Sequence, residues 1–119
     1  MRISNFTLAL CIFTVLATLT PAARADADIS WYENTKRANP DIARLYLTGL
    51  SEGILWTNAA LEIRLQPRLF CPPKTLSLNS ENFSALLDSE FASNDRPLKS
   101  TAIGLVLLKG LMKAFPCLP

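Results

Sequence analysis

From residue 40 onward, apolar positions return with the spacing of a helix. Ile42, Leu45, Tyr46, Gly49, Leu50, Gly53, Ile54, Trp56 and Leu61 fall on one broad face, predicting a long helix from about Pro40 to Leu65. Asn39-Pro40-Asp41 marks its start, with a capping amide, a proline in the first turn and an acid at the positive end. A second period follows Asn79: Phe83, Leu86, Leu87 and Phe91 predict a helix from about Ser80 to Phe91, with Leu78 and Phe83 as a hydrophobic staple. On this reading Glu81, Asp88 and Glu90 are solvated. A third helix, from about Leu98 to Ala114, is almost continuously apolar from Ala102 to Leu108 and is expected to be the central core element. Asp26 to Ala38 reads as a short helix or an ordered arm, and strand-like alternation is absent.

The segments between these helices are punctuated by proline. Phe70-Cys71-Pro72-Pro73 is a rigid turn that cannot be helical through both rings, and Ser93-Asn94-Asp95-Arg96-Pro97 is a polar loop. Gly49 and Gly53 stack on one side of the long helix, each at a cost of about 1 kcal/mol relative to alanine. Close packing against a neighbouring helix is the preferred explanation, and a hinge or ligand groove is the alternative. Trp56 shares the apolar side and is expected in the core.

The amino-terminal residues change the accounting. Met1-Arg2, an apolar run from Ile3 to Leu19, Pro21 and Ala23-Arg24-Ala25 form a secretory leader cleaved after Ala25, with Ala27 as the second choice. An uncleaved anchor is the competing reading, and a lipoprotein site at Cys11 fails because Leu10 is bulky. Residues 1–25 are thus read as signal peptide and 26–119 as one mature, exported domain. Arg2 and Arg24 leave with the leader, so the twelve basic residues fall to ten against ten acidic ones. That balance argues against nucleic acid and against an anionic membrane surface. Cys11 also leaves. Cys71 and Cys117 are then the single pair available for an intramolecular disulfide, the alternative being two free thiols.

The chain has no histidine, which removes Ser-His-Asp, Cys-His and His-ligated zinc chemistry. Asp88 and Glu90 are two apart and diverge on a helix, and Glu52 and Glu62 have no partner signature. No catalytic set, cofactor motif or metal-ligand spacing is present. Trp31, Tyr32 and Trp56 could build a sugar-stacking platform, although adjacent Trp31 and Tyr32 cannot both face inward. Asn82-Phe83-Ser84 fits a glycosylation acceptor but falls within a helix.

Several of these segments occur in a familiar order. Leu47-Thr48-Gly49 with Gly53 and Trp56, Phe70-Cys71-Pro72-Pro73, Leu76-x-Leu78, Ala102 with Leu105-Val106, and Ala114-Phe115-Pro116-Cys117 together resemble the Rap/Tai-type immunity proteins of bacterial type VI secretion. The resemblance covers roughly Leu45 to Cys117. Cys71-Pro72-Pro73 stands where that family often reads Cys-Leu-Pro, and the loop before the last helix lacks the family's frequent histidine. It implies a periplasmic protein, alone or as a homodimer, that inhibits a peptidoglycan-cleaving amidase delivered by neighbouring cells. The expected fold is all-α, about four helices pinned by one disulfide. Ser93, Asn94, Asp95 and Arg96 are the candidate partner contacts. The alternative is an envelope module of the same fold with a different protein partner; an enzyme, a cofactor and a metal are not expected.

Overall fold

The computed structural model describes residues 27–118, and the expected leader with its cleavage site after Ala25 lies outside the described residues. The described residues form four helices: α1 (Ile29–Ala38), α2 (Pro40–Ile63), α3 (Ser80–Ala92) and α4 (Ile103–Ala114). Among the described residues the extended structure is one isolated bridge between Asp28 and Ala102. The all-α expectation holds.

Each start has a local cause. Asp28 accepts the Trp31 N–H at 2.8 Å and caps α1, whose last turn places Lys36 and Arg37 at the negative end. Asn39 serves two helices: its N–H closes α1 onto the Thr35 carbonyl, and its side chain accepts the Ile42 N–H of α2. Asn79 and Asn82 exchange side chain-to-backbone hydrogen bonds, both at 3.0 Å, in a reciprocal capping box. The Asn82 amide of the acceptor-like tripeptide is thus engaged in starting α3.

α4 begins five residues later than the predicted start at Leu98. The Lys99 and Thr101 carbonyls accept hydrogen bonds from Ser30 and Ile29, and the Ile103 N–H donates to the Ala27 carbonyl. Those groups would have closed the first helical turns. They instead bind the chain entering α1, and Leu98 remains exposed.

α2 stops two residues before the predicted end. The Gln66 N–H reaches back to the Leu61 carbonyl, and Leu65 adopts φ 55° to allow it. For a residue other than glycine that left-handed conformation costs roughly 1–2 kcal/mol. Leu65 is also 93% exposed, so burial does not offset the strain.

α1 packs on α2, α3 packs on α4, and α2 touches both members of the second pair. Ile29, Tyr32, Ala43, Leu47, Phe83 and Leu87 enclose Ile103, Val106, Leu107 and Leu111. α4 is the central core helix, although Leu105 within its apolar run faces outward. The wall of α2 that meets this core is Ala43, Leu47, Ser51 and Asn58. This corrects the periodic reading in part: of its broad apolar face, Tyr46, Leu50 and Ile54 pack against the core, whereas Ile42, Leu45, Gly49, Gly53 and Trp56 are exposed. Leu45 and Trp56 are each 74% exposed, and a Cβ at Gly49 or Gly53 would meet nothing within 4 Å.

The connection from α2 to α3 is irregular yet firmly held. Phe70 is fully buried, and Asn58 clamps its backbone: Asn58 Nδ2 donates to the Phe70 carbonyl at 2.8 Å, while Oδ1 accepts from Leu69 and Phe70 N–H. Next in sequence, Cys71 is disulfide-bonded to Cys117, with Cα atoms 4.9 Å apart. The Cys71 N–H also donates to the Phe115 carbonyl at 2.8 Å. Closing a 46-residue loop is worth about 4 kcal/mol in the chain-entropy account.

Cys71→Ser and Cys117→Ser are therefore expected to lose equal stability, about 3–4 kcal/mol each in denaturant unfolding. Their double variant should lose no more than either single. Asn58→Ala strands the buried Phe70 amide and carbonyl and is expected to cost about 2–3 kcal/mol in the same assay.

Candidate functional site

The candidate contact loop, Ser93 to Arg96, joins α3 to α4. Ser93 ends α3, its hydroxyl donating to the Glu90 carbonyl at 2.8 Å, so this side chain is occupied in shaping the turn. Asn94, Asp95 and Arg96 are exposed. The Asp95 side chain is 91% accessible, yet it accepts a hydrogen bond from Lys109 Nζ at 2.6 Å across fourteen residues of sequence. A partner would meet a carboxylate already held in place.

Beneath that pair lies Glu90, which is only 3% exposed. This corrects its assignment to the solvated face of α3. Glu90 sits on the side of α3 that faces α4, opposite Gly110, where a Cβ would lie 3.4 Å from its Cγ. Its Oε1 accepts from Lys113 at 3.3 Å; its Oε2 stands 3.8 Å from Lys109 Nζ, too far for a hydrogen bond. Lys109 thus bridges a buried carboxylate and an exposed one. A buried acid leaves little mark in sequence, but Lys109 and Lys113 at helical spacing were a usable hint.

The hydrogen bond from Lys109, with its charge, holds the Asp95 carboxyl below its ordinary value and raises Lys109 in return. On the other side of the loop, Lys99 donates to Glu33 and holds that carboxyl low, with weaker attraction from Arg96 and Arg37. Lys36 forms a further link, to Asp88 at 3.1 Å and Ser84 at 3.0 Å.

The aromatic platform does not assemble. Tyr32 is in the core, and Trp31 stands edge-on against Tyr46 with centroids 4.8 Å apart. Partial burial pushes the Tyr46 phenol up. Trp56 lies ten residues further along α2, roughly 15 Å away by helical rise. What the glycines do form is an open groove of about 430 Å³ lined by Gly49, Leu50, Gly53, Ile54, Thr57, Leu69 and Leu108. Close packing within the chain, the preferred explanation for this pair, is therefore not what the structure shows. A smaller cleft of about 160 Å³ lies between α1, α2 and the start of α3, below the usual 300–1,000 Å³ of small-molecule sites.

Among the described residues, no group of three or more His, Cys, Asp or Glu side chains is placed to hold a metal ion. No helix there is long and apolar enough to cross a membrane. No protein-family model matches the chain, and no curated protein or solved structure is significantly similar to it.

The Asp95–Lys109 geometry has a direct readout. A depressed carboxyl pKa means the pairing is present above the unfolded aspartate value, about 3.9, and is lost as pH falls through the folded value. An NMR titration of the Asp95 carboxyl carbon is expected to show a midpoint below about 3.9, and Lys109→Met should return it toward that value.

Proposed function

We propose that this chain is an exported immunity protein that binds and inhibits a peptidoglycan-cleaving amidase effector of type VI secretion. The observation that carries the reading is the meeting of Phe70-Cys71-Pro72-Pro73 with Ala114-Phe115-Pro116-Cys117. These are two of the segments on which the family resemblance rests, and they join through a disulfide and a backbone hydrogen bond. A disulfide fits a protein that works outside the reducing cytosol. The Ala27 carbonyl holds the Ile103 N–H, so cleavage after Ala25 keeps that bond in the mature chain, and cleavage after Ala27 would remove it.

Inhibition by occlusion needs a rigid scaffold and a protruding element whose shape is set before contact, because ordering a loop on binding costs affinity. The helices and disulfide form the scaffold. The loop Ser93 to Arg96, held by Lys109 at Asp95 and flanked by the Lys99–Glu33 pair, is the element that enters the effector's cleft. Its exposed acid and base suit charge-complementary recognition, which sets partner choice and association rate.

The test is capture from the periplasm of tagged protein produced from the full sequence, followed by a peptidoglycan-hydrolysis assay of whatever co-purifies. Near-stoichiometric recovery of an amidase that the protein inhibits is expected. Combined Asp95→Lys and Arg96→Glu should weaken that inhibition by about tenfold or more at unchanged melting temperature. Full inhibition by that variant removes the loop from the interface. Recovery of a non-hydrolytic envelope protein instead moves the assignment to a structural module of the same fold.

A further inference from the structure

Glu90 is buried, and its Oε2 has no hydrogen-bond partner. An orphaned carboxylate oxygen shut away from water is costly, and folded proteins keep few of them. Two lysines stand over this one. Lys113 Nζ serves Oε1 at 3.3 Å. Lys109 Nζ lies 3.8 Å from Oε2 and donates instead to Asp95 Oδ2 at 2.6 Å. One cation thus stands between two carboxylates and hydrogen-bonds the exposed one. A movement of about 1 Å brings it to the 2.7–2.9 Å of a charge-assisted bond with Oε2.

Glu90 is also tied to the loop through its backbone. Its carbonyl accepts from both the N–H and the hydroxyl of Ser93, where the loop begins. The chain's own Arg96 does not fill the role of a second cation at Asp95. Its field acts on Glu33, on the side where Lys99 is bound, and Asp95 is held by Lys109 with a weaker contribution from Lys113.

We propose that Asp95 is a receptor for an arginine side chain of a protein partner, and that Glu90 takes over Lys109 when that arginine arrives. The orphaned oxygen selects the sign of the partner's charge. Lys109 and Lys113 balance Glu90 and Asp95, so the net charge of this group favours neither a cation nor an anion. A partner's carboxylate competing for Lys109 leaves Oε2 as it stands. A partner's cation at Asp95 frees Lys109 to reach Oε2, so docking forms two charge-assisted hydrogen bonds for the one it breaks. A guanidinium fits best, because its fork spans both oxygens of a carboxylate that is 91% accessible. The inference deepens the reading of the loop as the contact element and rests on that reading for the partner's identity alone.

The exchange is tested in the free protein, produced from the full sequence, by following the Glu90 carboxyl carbon by NMR. Asp95→Asn, which releases Lys109, is expected to shift that carbon; the same substitution made in Lys109→Met should leave it in place. No shift in Asp95→Asn overturns the exchange. An equal shift without Lys109 also overturns it, since the field of Asp95 then acts directly. The sign of the partner's charge is tested with N-acetyl-arginine amide and N-acetyl-glutamate amide at constant ionic strength. The arginine probe should move the Glu90 carbon in the direction of Asp95→Asn, and should not do so in Lys109→Met. Movement with the glutamate probe alone, or with neither, overturns the assignment. Against a captured amidase, Glu90→Gln, compared at equal folded fraction, should weaken inhibition about threefold or more and add nothing once Asp95 is replaced by Asn. Inhibition untouched by Glu90→Gln counts against the exchange. Failure to capture an amidase removes the immunity reading, and the NMR results still decide this one.

Discussion

The fold depends on how the irregular stretch after α2 is fastened. Phe70 enters the core from a segment with no regular structure, and its backbone must find partners there. Asn58 supplies them from the buried side of α2. The next residue is bonded to Cys117, which brings the end of α4 to the same place. One point thus fixes the exit of α2, the approach to α3 and the end of α4. The covalent bond limits the unfolded chain, while the buried amide makes the alternative to folding correctly expensive.

A second, smaller anchor acts at the opposite boundary of α4. Backbone hydrogen bonds from residues 27 to 30 bind the turn before Ile103, and they decide where that helix begins. α4 is thereby held at both ends, and Ile103, Val106, Leu107 and Leu111 along its inner side are buried in the core. The loop Ser93 to Arg96 emerges just before this element. Lys109 connects it to Glu90 and so to the packed interface between α3 and α4. A carboxylate that a partner could meet is in this way coupled to one that no partner can reach.

The helices, their caps and the cysteine pairing were readable because each rests on residues close in sequence or on a count. Asn39-Pro40-Asp41 and Asn79 specify starts through caps three residues away, and two cysteines beyond the expected leader leave one pairing. The candidate loop was readable as polar and proline-ended. Its connection to Lys109 was not, since that contact spans fourteen residues and a change of element. Periodicity misplaced the buried side of α2 because a sum over apolar residues gives weight to the side with the larger apolar side chains. The buried side is made of smaller or more polar residues, Ala43, Ser51 and Asn58, around Leu47.

By itself, then, the sequence determined that this is a short helical protein, where three of its helices start, and which two sulfurs join. These are local or combinatorial properties. Tertiary structure decided which face of α2 is inside, that Glu90 is buried between two lysines, that Asn58 carries the Phe70 turn, and that Trp56 faces outward. Those outcomes depend on which surfaces compete for the same limited core. Ala43 and Asn58 win their places because α2 must lie close to its neighbours and feed hydrogen bonds to a loop. Larger apolar side chains on the far side cannot reach that core from where the helix holds them.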